Sequence, residues 1–152
     1  MQQLITDLNQ VKNIAEAKRP ENDVFRAFVK YKDPKYIDSI VHELNDIITP
    51  QVDCTQCGNC CKSLMINISA EEAGKLAQHI NMDLADMKKQ FLEESEQGQL
   101  IMNSIPCYFL SGTKCSIYEN RFSGCREFPY LDQDNFSSRM FALLIHYESL
   151  PI

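Results

Sequence analysis

No apolar run in this chain approaches the ~20 residues that a membrane-spanning helix needs, so no membrane anchor of that kind is expected. The opening stretch, "MQQLITDLNQVKN", lacks the basic start and short apolar segment of a secretory signal. A cytosolic address is therefore expected, where disulfides rarely persist. The negative balance is spread over the chain, lysine and arginine are not expected to cluster in any block, and the net charge is −6. That balance argues against nucleic acid or an anionic membrane as the main partner, while leaving a small local basic site open. Internal repeats and low-complexity segments are missing. No glycine-rich nucleotide loop follows a strand, and no Ser–His–Asp set or acid pair marks a catalytic centre, so the sequence assigns no enzyme activity.

What remains is an ordinary globular composition, 44% hydrophobic and 24% charged over 152 residues. A chain of this length buries roughly 68–70% of its unfolded surface, enough for a core without disulfide support.

Three regions are expected within one compact domain: an N-terminal helical region over 1–50, a cysteine-rich region over 51–131 and an apolar segment over 132–152. In the first, Leu4, Leu8, Val11 and Ala15 share a helical face, and Arg19-Pro20 is expected to end that helix. A second helix should start with Asn22 as its cap and bury Phe25, Phe28 and Val29. A third should start at Asp33-Pro34, an N-cap followed by proline at the first helical position. Its stripe of Ile37, Ile40, Val41, Leu44, Ile47 and Ile48 suits a helix packed on a core.

Further along, "SLMINI" reads as a short strand, and Ser69 with Glu72 matches a capping box that opens another helix. A helix around Leu84, Met87 and Phe91 follows, with the acidic "EESE" at 93–96 as its exposed end. "LIMNSI" and "CYFL" look extended, and "SGTK" at 111–114 looks like a turn. The tail "RMFALLIHY" is apolar nearly all round and reads as a buried helix or a strand, with helix favoured. The fold class expected is mainly α with a short β element and loops organised around the cysteines.

All seven cysteines fall between residues 54 and 125, and none lies in the helical N-terminal third. The first group, "CTQCGNCC", places Cys54, Cys57, Cys60 and Cys61 in a C-x2-C-x2-C-C pattern. The second is Cys107, Cys115 and Cys125. Cysteines used as small core hydrophobes scatter with the apolar pattern; the first group sits among Thr, Gln, Gly and Asn, which is loop chemistry. Two residues between cysteines let the chain turn so that both sulfurs face one centre, and Gly58 eases that turn by taking left-handed angles. Zinc takes four such ligands in a tetrahedron. An iron–sulfur cluster takes four thiolates, and C-x2-C-x2-C supplies three of them in bacterial ferredoxins. Adjacent side chains usually diverge, so Cys60 and Cys61 are not expected to share one ion. A disulfide scaffold fits poorly with an odd count and no export signal, and a redox enzyme built on one C-x2-C pair needs no further five cysteines.

The stretch "CYFLSGTKCSIYENRFSGCREFP" completes a longer pattern. With the first group it resembles the CxxCxxCC family of zinc- or iron-chelating proteins. The matching positions in the later block are Cys107, Phe109, Leu110, Cys115, Tyr118, Arg121, Cys125, Arg126, Phe128 and Pro129. The resemblance covers about residues 54–131. Where the family has proline after the arginine, this chain has Phe122, which alters backbone stiffness and removes no ligand. The resemblance implies a metal ion as the bound partner, with zinc or iron, including an iron–sulfur cluster, as cofactor. The family's relatives include flagellin lysine N-methylases, which carry a similar cluster in a larger protein, so a redox role or a part in protein lysine methylation stands as one alternative. A metal-stapled adaptor that binds another protein is a second.

Around the cysteines, Arg121 and Arg126 either offset the charge of a thiolate-rich centre or bond loop carbonyls. Tyr118 either donates to a sulfur or packs under the loop. His42, His79 and His146 lie far from the cysteines in sequence and read as structural.

Overall fold

The computed structural model describes residues 4–149. The chain divides into two units, residues 54–128 and a second made of the segments on either side. It is mainly α with short strands, as the sequence implies. No helix is long and apolar enough to cross a membrane among the described residues.

The flanking unit holds α1 (Leu8–Val29), α2 (Pro34–Ile48) and α8 (Phe136–His146). Asp7 caps α1 by accepting the Gln10 amide at 2.9 Å. Arg19-Pro20 does not end this helix: Pro20 lies inside a single 22-residue element, and no second helix starts at Asn22. Proline removes one backbone donor, which here costs the exposed Glu16 carbonyl its partner; water can replace it there. Asp33 and Pro34 start α2 as expected, with Asp33 accepting the Lys35 amide at 3.0 Å.

The α2 stripe departs from expectation. Its buried residue is Asp38, while Ile40, Leu44 and Ile47 are 39%, 48% and 50% exposed. Phe25 and Phe28 on α1 are likewise exposed. The tail is a helix, yet it buries Met140 and leaves Phe141 and Ile145 exposed.

Asp38 has a specific task. Asn135 takes left-handed angles at the start of α8 and its side chain makes no cap bond. The Asp38 carboxylate supplies the cap, accepting the Asn135 and Phe136 amides at 2.8 and 2.9 Å. Burial raises its pKa, and these two amides more than offset that, leaving it below the ordinary carboxylate value.

Residues 54–128 form the second unit. Two short helices, α3 (Cys54–Cys57) and α4 (Cys60–Ser63), precede β1 (Asn67–Ile68). Then come α5 (Ala70–His79), α6 (Leu84–Phe91), β2 (Leu92–Glu94), β3 (Leu100–Met102), β4 (Leu110–Ser111), β5 (Lys114–Cys115) and α7 (Ser123–Glu127). The Ser69–Glu72 capping box forms in full. "EESE" is not a helix end. The chain leaves α6 at Leu92, which is buried and pairs with Met102, while Glu93 and Glu94 are exposed. A three-stranded antiparallel sheet results, in the order β1-β3-β2. Ile68, Leu76, Met87, Phe91 and Phe109 lie in its buried core, and Cys107, Cys115 and Cys125 pack against that core.

Candidate metal centre

The first cysteine loop is shaped by one glycine. Cys54 and Cys57 lie on the single turn α3, and the Gly58 amide closes it by donating to the Cys54 carbonyl at 3.1 Å. Gly58 then takes φ +62, which reverses the chain toward Cys60. A Cβ on Gly58 would lie 2.9 Å from the Thr113 Cα and carbonyl oxygen. The missing side chain therefore lets the 54–61 loop rest directly on the turn of the β4–β5 hairpin. That turn is the "SGTK" expected from sequence, with Gly112 at φ +64, and its second strand carries Cys115 paired with Leu110.

A second backbone link ties the groups together: the Cys107 amide donates to the Cys61 carbonyl at 2.7 Å. The Cys125 helix α7 is held from a distance. Glu72, already bonded within its own capping box, also accepts the Ser123 amide through Oε1 at 2.6 Å. One carboxylate thus serves two helix starts. Burial pushes Glu72 up, but the Ser123 and Ser69 amides and hydroxyls outweigh it and hold the group at about 2. Sequence pattern marks Glu72 for the capping box and contains no sign of its second task. Phe122, which stands in place of the family's proline, is buried in the core at the start of α7.

These links bring thiols from both groups to one place. Cys60, Cys61, Cys107 and Cys125 line a cavity of about 30 Å3, closed by Leu64, Ile66, Met102, Phe122 and Phe128. Cys60 and Cys61 do not diverge as neighbours usually do. Their side chains hydrogen-bond to each other. That bond, with help from the Cys61 and Cys60 amides and the Arg121 charge, lowers Cys60 to about 6 despite burial. The same bond and burial push Cys61 up, as expected for two thiols that titrate as a pair. Burial pushes Cys125 up to about 12, reinforced by charge on Cys107, Cys60 and Cys115. Burial also raises Cys107 and Cys115. Each of the three later thiols feels charge on Cys60.

Cys54 is exposed, and its thiol donates to the Tyr118 hydroxyl at 3.4 Å. Cys57 is half-buried on the same turn. Tyr118 also carries the Arg121 guanidinium, 3.9 Å from its ring centroid, while Arg121 donates to the Tyr118 carbonyl at 2.8 Å. So placed, the Arg121 charge helps lower Cys60 and opposes the rise that burial imposes on Cys115. Arg126 donates to the Arg121 carbonyl and so holds the loop that carries Arg121. His79 pairs with Asn120, and His42 lies 4.0 Å from Asp134.

The donor chemistry fits a thiophilic ion: soft sulfur ligands, partial burial and a nearby cation to offset their charge. The side-chain positions are less advanced. Among the described residues no three Cys, His, Asp or Glu side chains stand ready to hold an ion. The backbone has brought the two stretches together, and side-chain rotation is left to complete a ligand set.

A family model described as "Putative zinc- or iron-chelating domain", CxxCxxCC, matches residues 53–141. The chain belongs to the CxxCxxCC family. The match spans more than half of the chain and contains all seven cysteines. No curated protein and no solved structure matches significantly. For this CxxCxxCC member, metal binding through zinc or iron is what the family description supports, without naming a substrate.

Proposed function

We propose that this chain chelates a single zinc or ferrous ion through Cys60, Cys107 and Cys125, with Cys61 as fourth ligand, and that the ion mainly locks the fold of residues 54–128. The supporting observation is the cavity these four sulfurs line. At about 30 Å3 it is sized for one small occupant. When bound, the ion supplies a cross-link between two stretches of chain, and its binding energy becomes folding energy. Arg121 offsets the net negative charge left by four thiolates around a divalent ion. Tyr118 keeps Arg121 over the site and partners Cys54 at its edge.

The second reading is an iron–sulfur protein with a redox role or a part in protein lysine methylation. It draws on Cys54 and Cys115, which lie beyond the cavity and interact with each other electrostatically. Anaerobic purification of the full chain followed by metal and sulfide analysis separates the two. One ion per chain, lost in Cys60→Ser, Cys107→Ser and Cys125→Ser but retained in Cys54→Ser, supports the single-ion reading. A brown protein with acid-labile sulfide and several irons overturns it in favour of the cluster.

A further inference from the structure

The exposed stripe on α2 is one wall of an apolar groove of about 690 Å3, completed by Phe25 and Phe28 of α1 and by Phe136. Every lining residue belongs to the unit that flanks the thiols. The wall residues on α2, Ile37, Ile40, Val41, Leu44 and Ile48, follow the 3–4 spacing by which one helix receives another. At 1.5 Å per residue the 15-residue α2 offers a seat about 22 Å long, enough for about four helical turns.

The charge around the groove indicates what fits it. Lys32 lines the groove and no carboxylate does, among the described residues. Arg26, Lys30 and Lys35 stand within the same ten-residue stretch, where the chain-wide acidic balance hides a local basic run. None of these four cations forms an ion pair among the described residues. Two are held in place by aromatic rings: Arg26 lies 5.1 Å from the Phe141 centroid, and Lys32 4.2 Å from that of Phe28. Arg26 and Lys30 line a separate cavity of about 590 Å3, which likewise has no carboxylate in its wall.

We propose that this groove receives an α-helix of a partner protein whose apolar face fills it and whose flanks carry Asp or Glu opposite Lys32. A second copy of the chain fits less well, because pairing the two grooves would confront Lys32 with its own like. A membrane fits less well because a concave groove suits a helical ridge, whereas a bilayer favours a protruding apolar edge. Such docking is independent of the thiol site and of which metal it holds.

The test uses the full chain and a fluorescent peptide of about 15 residues, matched to α2 in length, with leucine at helical i, i+3, i+4, i+7 spacing and glutamate on both flanks. A control peptide carries lysine at every glutamate position. The glutamate peptide should bind, weaken as salt rises and lose about tenfold or more in affinity to Lys32→Glu. The lysine peptide should bind only to that variant. Leu44→Glu, at a half-exposed position that should still fold by circular dichroism, should abolish binding. Equal binding of both peptides, or of neither, overturns the proposal. So does a dimer in sedimentation that Leu44→Glu dissolves. So does capture by phosphatidylserine vesicles without peptide binding.

Discussion

Residues 54–128 gather twelve buried apolar side chains into one cluster, although their helices are short and their strands shorter. The flanking unit has the two longest helices of the described chain. Yet its buried set is small: Val11, Ala15, Val29, Pro129 and Met140, with Asp38 as the buried charge. One unit is locally weak and closes on itself. The other is locally strong and leaves its apolar faces open. Strong caps and helical periodicity therefore say that a segment will be helical, and little about whether its apolar face is covered in the same chain. Conversely, a unit made of short elements needs links between distant residues, and here backbone contacts and a shared carboxylate supply them.

Metal removal should separate the two units most sharply. Apparent binding energies of structural zinc sites in small peptides reach ~10 kcal/mol or more near neutral pH. Stripping the ion under reducing conditions should raise amide hydrogen exchange across 54–128 by orders of magnitude, while α1 and α2 keep theirs. Equal acceleration in both units would break the comparison, and no change anywhere would remove the structural role of the ion.

Asp38→Ala is the counterpart in the helical unit. It leaves the Asn135 and Phe136 amides without their acceptor, at a cost of about 1–3 kcal/mol. Faster exchange should be confined to α8 and the facing part of α2. A loss of less than a few tenths of a kcal/mol in urea unfolding would show that the cap is dispensable.

The smallest effect is expected from Glu72→Gln, and it depends on pH. An ordinary glutamate titrates near 4.5, and the folded chain holds Glu72 at about 2. As pH falls below 4.5 the unfolded chain binds this proton first, so the stabilisation present above 4.5 is lost progressively toward pH 2. The wild-type urea midpoint should therefore fall more steeply than that of the variant between pH 5 and 2. Parallel profiles would mean that the carboxylate's charge contributes nothing to holding α7.

How much of this was legible beforehand follows the range of each signal. Asp33-Pro34, the Ser69–Glu72 box and the turn at Gly112 rest on neighbours within a few residues, and each forms as read. Pro20 misled because a missing donor ends a helix only when nothing else continues it. The first half of "EESE" turned into strand because Leu92 has a partner in Met102, ten residues further on. Asp38 and Glu72 each bond a helix start far along the chain, which no local pattern encodes. At the cysteines, spacing marked the candidates. Their meeting depends on the close approach of Gly58 to Thr113, visible only once the chain is folded. The hydrogen bond between Cys60 and Cys61 ran against the rule that adjacent side chains part.

That approach of Gly58 to Thr113 also has a consequence for biosynthesis. The first four thiols leave the ribosome about 50 residues before the hairpin on which they rest. At ~5–20 residues per second, they wait roughly 3–10 s with nothing to dock against. For that interval the nascent chain presents an open cysteine tetrad to whatever oxidant or stray ion the surroundings contain, and the cavity that Cys107 and Cys125 help to line can close only after residue 125 has emerged.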